Sequence, residues 1–198
     1  MACGMDLRLQ LEALRKVYKK NLEDTVAVED AIHIEVRLLP ILSEEAMRAL
    51  IREVLAEKGW TEGADGALVK TLGDAVATLD ADGKTVTLKS KATATVTAEG
   101  RTVERNDRTE KESEKEAARL AEEKLAEEKK AAQAKLALKN LEELGRHEPA
   151  LRKELQEALN RTYRRALEAK ARELGEVESL QEQGRADGTY EVTVVVKA

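Results

Sequence analysis

The spacing of apolar residues changes period several times along this chain, and each change predicts an element. Leu7, Leu11, Leu14 and Tyr18 form one helical stripe, with Arg15, Lys16, Lys19 and Lys20 elsewhere and Asp6 placed as N-cap, which predicts an amphipathic helix over residues 6–22. From Ala31 the period becomes two. Ile32, Ile34, Val36 and Leu38 alternate with His33, Glu35 and Arg37 as far as Pro40, the pattern of a half-buried strand. Ser43 then opens a second helix, with Glu44 and Glu45 in its first turn, Met47, Leu50, Ile51 and Leu55 on one face, and Gly59 at its close. Residues 68–79 read as one strand or two short ones around Gly73-Asp74, and Asp80-Ala81-Asp82-Gly83 as a hairpin turn. The clearest strand follows: Val86, Leu88, Ser90, Ala92, Ala94 and Val96 alternate with Thr85, Thr87, Lys89, Lys91, Thr93, Thr95 and Thr97. Glu99-Gly100 reads as a second tight turn before a short returning strand over residues 101–105.

Residues 110–174 carry helical spacing throughout, interrupted by Gly and Pro only at Gly145-Arg146-His147-Glu148-Pro149. The first part places Ala117, Ala118, Ala121, Leu125, Ala132, Leu138 and Leu141 between Glu and Lys, and the second repeats the pattern with Leu151, Leu155, Leu159, Tyr163, Ala166 and Leu174. Gly145 suits the left-handed residue after a helix end and Pro149 the first turn of the next helix, so a helical hairpin is predicted. Two closing strands follow around a turn at residues 184–188, the last with Tyr190, Val192, Val194 and Val196 on one face.

This order predicts an α+β fold: an antiparallel or mixed sheet with helices on one face, arranged as a ferredoxin-like β-α-β-β-α-β unit. Residues 1–109 and 175–198 then form an α/β head, and residues 110–174 an inserted helical hairpin that projects as a coiled-coil arm. Alanine permits close helix approach but buries little area, so two such helices make a thin core and gain from a second arm or another protein covering their outer face.

Composition narrows the function. With 42% hydrophobic and 37% charged residues in 198 and a net charge of −5, the chain is long enough for one good core and belongs to neither the disordered nor the membrane class. Residues 101–175 hold 19 Lys/Arg and 17 Asp/Glu and the remainder 15 and 22, so neither portion presents the broad positive field that phosphate-backbone binding requires. There is no Phe, one Trp and three Tyr, too few aromatics for a base-stacking surface. Cys3 is the single cysteine, and no leader or membrane-spanning run is evident, so a cytoplasmic protein is expected. Met1 and Met5 are both expected as candidate start residues.

Candidate chemistry is sparse. The two histidines, His33 and His147, and Cys3 have no metal-ligand spacing, and no phosphate loop, nucleophile elbow or Ser/His/Asp arrangement occurs. Adjacent pairs such as Glu122-Glu123, Glu127-Glu128 and Glu142-Glu143 do not face each other on a helix and look solvated. No enzyme, cofactor, metal or small-molecule substrate is therefore predicted. The best contact candidate is the cluster Arg161, Tyr163, Arg164, Arg165 and Arg172, with Lys170 beside it, which suits an acidic partner. Glu157 and Glu168 stand four residues before Arg161 and Arg172 and offer intrahelical pairing instead. Trp60, after a helix end, is expected to close the core.

One resemblance sharpens this. Residues 169–196 (AKARELGEVESLQEQGRADGTYEVTVVV), with Gly175-Glu176-Val177-Glu178-Ser179 and Asp187-Gly188-Thr189-Tyr190 as their markers, Lys58-Gly59-Trp60 and residues 66–79 make up about a third of the chain. They resemble small bacterial α/β domains encoded beside AAA+ ATPases in FtsH ternary systems. The resemblance implies an accessory part in an ATPase-linked system and carries over no catalytic motif. The expected function is a non-enzymatic interaction, scaffold or adaptor protein that binds a partner or itself, as a dimer, through the hairpin. The alternative is a nucleic-acid- or ribosome-associated module using the arm's arginines.

Overall fold

Period-two alternation shapes more of this protein than its sequence suggests. The computed structural model describes residues 16–63, 65–103, 108–184 and 190–197. Its elements are β1 (Val17–Glu35), α1 (Glu44–Glu57), β2 (Thr61–Glu62), β3 (Leu68–Leu72), β4 (Ala75–Leu79), β5 (Thr85–Val103), α2 (Glu110–Leu174), β6 (Glu176–Gly184) and β7 (Tyr190–Lys197). The fold is α+β. One sheet has the order β1-β5-β4-β3-β2, and β6 and β7 form a second, two-stranded one. The turns joining β2 to β5 are too short for a crossover, so these strands form an antiparallel meander, with Leu68 opposite Leu79 and Ala75 opposite Ser90. The ferredoxin-like order does not form: β1 lies at the edge beside β5, and the strands after the long helix pair with each other.

Two compact units divide the chain. One comprises the described residues up to Val28 with Ala92–Asn140, the other Glu29–Lys91 with the described residues from Leu141 onward. In the second unit, alternate residues of β3, β4 and β5 (Leu68, Ala75, Ala77, Leu79, Val86 and Leu88) meet Ile51, Val54 and Leu55 of α1 and Leu144, Leu151, Leu155 and Ala158 of α2 in one core. The helix α1 starts as its sequence predicts: the Ser43 side chain accepts from the Ala46 N–H at 3.3 Å, and Gly59 leaves the helix with φ +87°. β1 runs antiparallel to β5, since the Val36 N–H donates to the Lys84 carbonyl at 2.7 Å while Glu29, earlier in β1, pairs with the later Lys89.

In the first unit, Val26, Ala92, Val96 and Leu136 form a smaller core with Val28, Ala94, Leu125 and Ala132 around it. Asn140 is buried, and its Nδ2 donates to the Val28 carbonyl at 3.0 Å. Helix α2 begins with a capping box: the Thr109 N–H donates to Glu112 Oε2 at 2.7 Å, and the Glu112 N–H returns to Thr109 Oγ1 at 3.4 Å.

Four expectations change. Residues 17–22 belong to β1, not to a helix over 6–22, while residues 6–15 lie outside the described ones. Tyr18, Leu22 and Val26 are four apart and satisfy both periods; pairing with β5 selects the strand, with Tyr18 and Val26 buried. The turn at Glu99-Gly100 is absent, because β5 continues to Val103. Gly100 is needed there for room: a Cβ would lie 1.9 Å from the Ala117 carbonyl oxygen. Third, the hairpin and its coiled-coil arm are replaced by one 65-residue helix with Pro149 inside it. Gly145 is helical, and the roughly 3 kcal/mol penalty of an interior proline is outweighed by burying Leu144, Leu151 and Leu155, each contributing about 1.5–3 kcal/mol. Fourth, the helix packs on strands within each unit, so residues 110–174 do not form an arm separate from the strands.

Candidate functional site

The predicted arginine cluster lies on α2 and is engaged by its own chain. Arg165 reaches Glu53 Oε1 at 3.0 Å and Glu57 Oε1 at 2.8 Å, and Arg161 meets Glu57 Oε2 at 2.8 Å. Arg164 pairs with Glu168 at 2.9 Å, and the Tyr163 hydroxyl donates to the Arg37 carbonyl at 2.8 Å. The hydrogen bond from Arg165, reinforced by the charge of Arg161, holds the Glu57 carboxyl below its ordinary range. Arg172 is exposed and has no ion pair among the described residues. The expected intrahelical pairs of Arg161 with Glu157 and of Arg172 with Glu168 do not form. Glu157 turns to Lys58 at 2.8 Å instead. The signal for this docking was present in the sequence: Glu53 and Glu57 share the four-residue spacing of Arg161 and Arg165, which lets two helices pair charges across one interface.

Two further groups serve packing in the same unit. Trp60 is 3% exposed, and its Nε1–H donates to Glu154 Oε1 at 2.7 Å. Lys70 Nζ donates to Glu154 Oε1 and Oε2 at 2.8 and 2.7 Å and to the Lys58 carbonyl at 3.1 Å, so the network is satisfied from both sides. Trp60 closes the core as predicted. His147 Nε2–H donates to Glu143 Oε1 at 3.0 Å beside Gly73, whose φ is +61°. That bond, with help from Arg146 and the Asp74 N–H, keeps Glu143 ionised below its usual range. His33 is exposed, with Nδ1 at 3.1 Å from Thr87 Oγ1. No group of three or more His, Cys, Asp or Glu residues among those described is placed to hold a metal ion.

The feature that sequence reading missed is a cleft of about 450 Å³ where β1, α1 and the β4–β5 turn converge. Val36, Leu38, Leu39, Pro40 and Met47 give it an apolar wall. Leu38 continues the alternation of β1 past the last strand residue, and Pro40 stops it, leaving Leu39 57% exposed. Charges rim it in pairs: Glu35 with Arg37 at 2.8 Å, Glu44 with Lys84 at 3.0 Å and with Arg48 at 3.3 Å. Gly83 makes the turn possible with φ +72°, and its missing side chain leaves space for the Arg48 stem. The hydrogen bonds from Arg37 and Lys84 hold Glu35 and Glu44 below the ordinary carboxylate range, and Glu35 raises Arg37. Glu35, Glu44 and Arg37 therefore stay charged near neutrality. Arg48 Nε is buried without a hydrogen-bond partner among the described residues.

No helix among the described residues is long and apolar enough to cross a membrane. No curated protein and no solved structure matches the chain. A family model does, and over far more than the third that carried the resemblance: the model for FtsH ternary system domain X5 covers residues 11–198, and the chain belongs to that family.

Proposed function

We propose that this protein is a non-enzymatic accessory component of an AAA+ ATPase-linked system that binds a protein partner of that system, with the cleft beside Leu39 as its docking site. The carrying observation is the cleft's chemistry. Its wall is apolar, and its rim holds Arg37, Arg48 and Lys84 against Glu35, Glu44 and Asp82. A charge-balanced rim does not select a phosphate or a polyanion. It suits an apolar segment of polypeptide with a few charges of its own. Membership of the FtsH ternary system family supports a protein partner, and the ionised, paired side chains of the rim favour binding over catalysis.

The nucleic-acid alternative has less support, because Arg161, Arg164 and Arg165 already face Glu57, Glu53 and Glu168. The test is a fluorescence-anisotropy titration of the labelled chain with the soluble region of an AAA+ ATPase from an FtsH ternary system. Saturable binding is expected, weakened at least about tenfold by Leu39→Asp, with the far-UV spectrum unchanged. No binding by the parent chain, or equal binding by the variant, overturns the reading.

A further inference from the structure

Among the described residues the sheet of β6 and β7 has two strands, so each of them has one edge with no strand beside it. A two-stranded hairpin is marginal in water, and a further strand with a shared apolar face is what makes such a sheet stable. The hairpin lies within one compact unit. On β7, Val192 and Val194 share one face and are half-buried, while Glu191, Thr193, Val195 and Lys197 occupy the other and are exposed. Edges that must stay single carry a charge or a proline along their length, and between Glu191 and Lys197 the sequence Val-Thr-Val-Val-Val has neither.

The order of charges along β7 identifies what pairs there. Glu191 and Lys197 stand three residues to either side of Val194. If a second copy of β7 lies antiparallel along the edge, with Val194 opposite Val194 of the partner subunit, Glu191 falls opposite Lys197 of the partner subunit. Two-fold symmetry then repeats that pair at the other end. A register one residue away sets Val194 against Thr193 of the partner subunit, on the polar face, and one two residues away parts the charges. A parallel pair in register sets like charges together at both ends. The edge of β6 has no such solution, because that strand carries Glu176, Glu178 and Glu182 and no basic residue, so its self-pairing gathers carboxylates.

We infer that this chain self-associates by antiparallel pairing of β7 with β7 of a second copy, about a two-fold axis at Val194, making a four-stranded sheet. Each copy contributes one short strand, so the dimer is weak and concentration-dependent, with a dissociation constant on the order of 10–100 μM. It uses neither the cleft nor the ATPase partner, and stands or falls apart from them.

Sedimentation equilibrium of the full chain over a range of concentrations reads the association. The mass is expected to rise from 21.9 kDa toward twice that value. Lys197→Glu should weaken it roughly tenfold, and adding Glu191→Lys should restore it. Both residues are exposed, so the circular dichroism of these variants should match the parent. Oxidative cross-linking in a Cys3→Ser background reads the register. Val194→Cys should give a covalent dimer, since the two copies of that residue face each other across the axis. Val192→Cys should not, because its two copies lie roughly 13 Å apart along the ladder. A parent chain that remains monomeric at roughly 0.5 mM, a charge exchange that fails to restore association, or cross-linking of Val192→Cys as readily as Val194→Cys would overturn the inference.

Discussion

Gly100→Ala places one methyl group where β5 touches α2 in the first unit. Its Cβ would stand 1.9 Å from the Ala117 carbonyl oxygen, 2.5 Å from the Ala121 nitrogen and 2.9 Å from the Ala121 Cβ. Real Cβ contacts stop at about 3.0 Å, so strand and helix must separate by about 1.1 Å locally. The two closest atoms are backbone, which no rotamer change can move aside. Overpacking of this kind costs about 1–3 kcal/mol, and the rigid partner argues for the upper part of that range. Against it stands the roughly 0.4–1 kcal/mol that Gly→Ala usually contributes by restricting the unfolded chain. The net expectation is a loss of about 2 kcal/mol, or roughly 4–8 °C in melting temperature for a chain of this size. Thermal unfolding followed by circular dichroism measures it. Ala117→Gly in the same chain should not rescue stability, since the nearest atom is the Ala117 carbonyl oxygen. A Gly100→Ala protein as stable as the parent would refute the close-approach argument.

Other outcomes follow from the same contacts. Gly145→Ala should raise stability by about 0.5–1 kcal/mol, because a Cβ there meets nothing within 4 Å and the backbone is helical. A hairpin with a left-handed Gly145 would show a loss instead in the same melting experiment. Glu154→Ala strands Lys70 Nζ and Trp60 Nε1 together and should cost about 2 kcal/mol in urea unfolding. A red shift should accompany it in the emission of Trp60, the one tryptophan. Glu44, Glu57, Glu143 and Glu157 all have folded-state values below the 4.5 of an unperturbed glutamate. The unfolded chain therefore binds more protons in that range, so their stabilisation is complete above about pH 4.5 and is lost as pH falls through the lower folded values. Melting temperature against pH should show this decline, and Glu57→Gln should flatten it.

Local chemistry made part of this protein legible in its sequence. The alternation of residues 85–97 set a strand whose Thr and Lys face is exposed at Lys89, Lys91, Thr93, Thr95 and Thr97, and Ser43 set the start of α1 because its cap bond lies within one helical turn. Tertiary structure decided the rest, where one local pattern fits two outcomes. Tyr18, Leu22 and Val26 suit helix and strand equally until β5 pairs beside them. Pro149 reads as a helix start until the burial of Leu144, Leu151 and Leu155 outweighs its missing N–H. Arg165 is paired with Glu57, 108 residues away in sequence, only because the fold brings their two helices together. Leu138, Leu141, Leu144 and Leu151 are alike as letters, and only their placement against the strands makes two of them core and leaves two exposed, because burial belongs to the assembled surface and not to the residue.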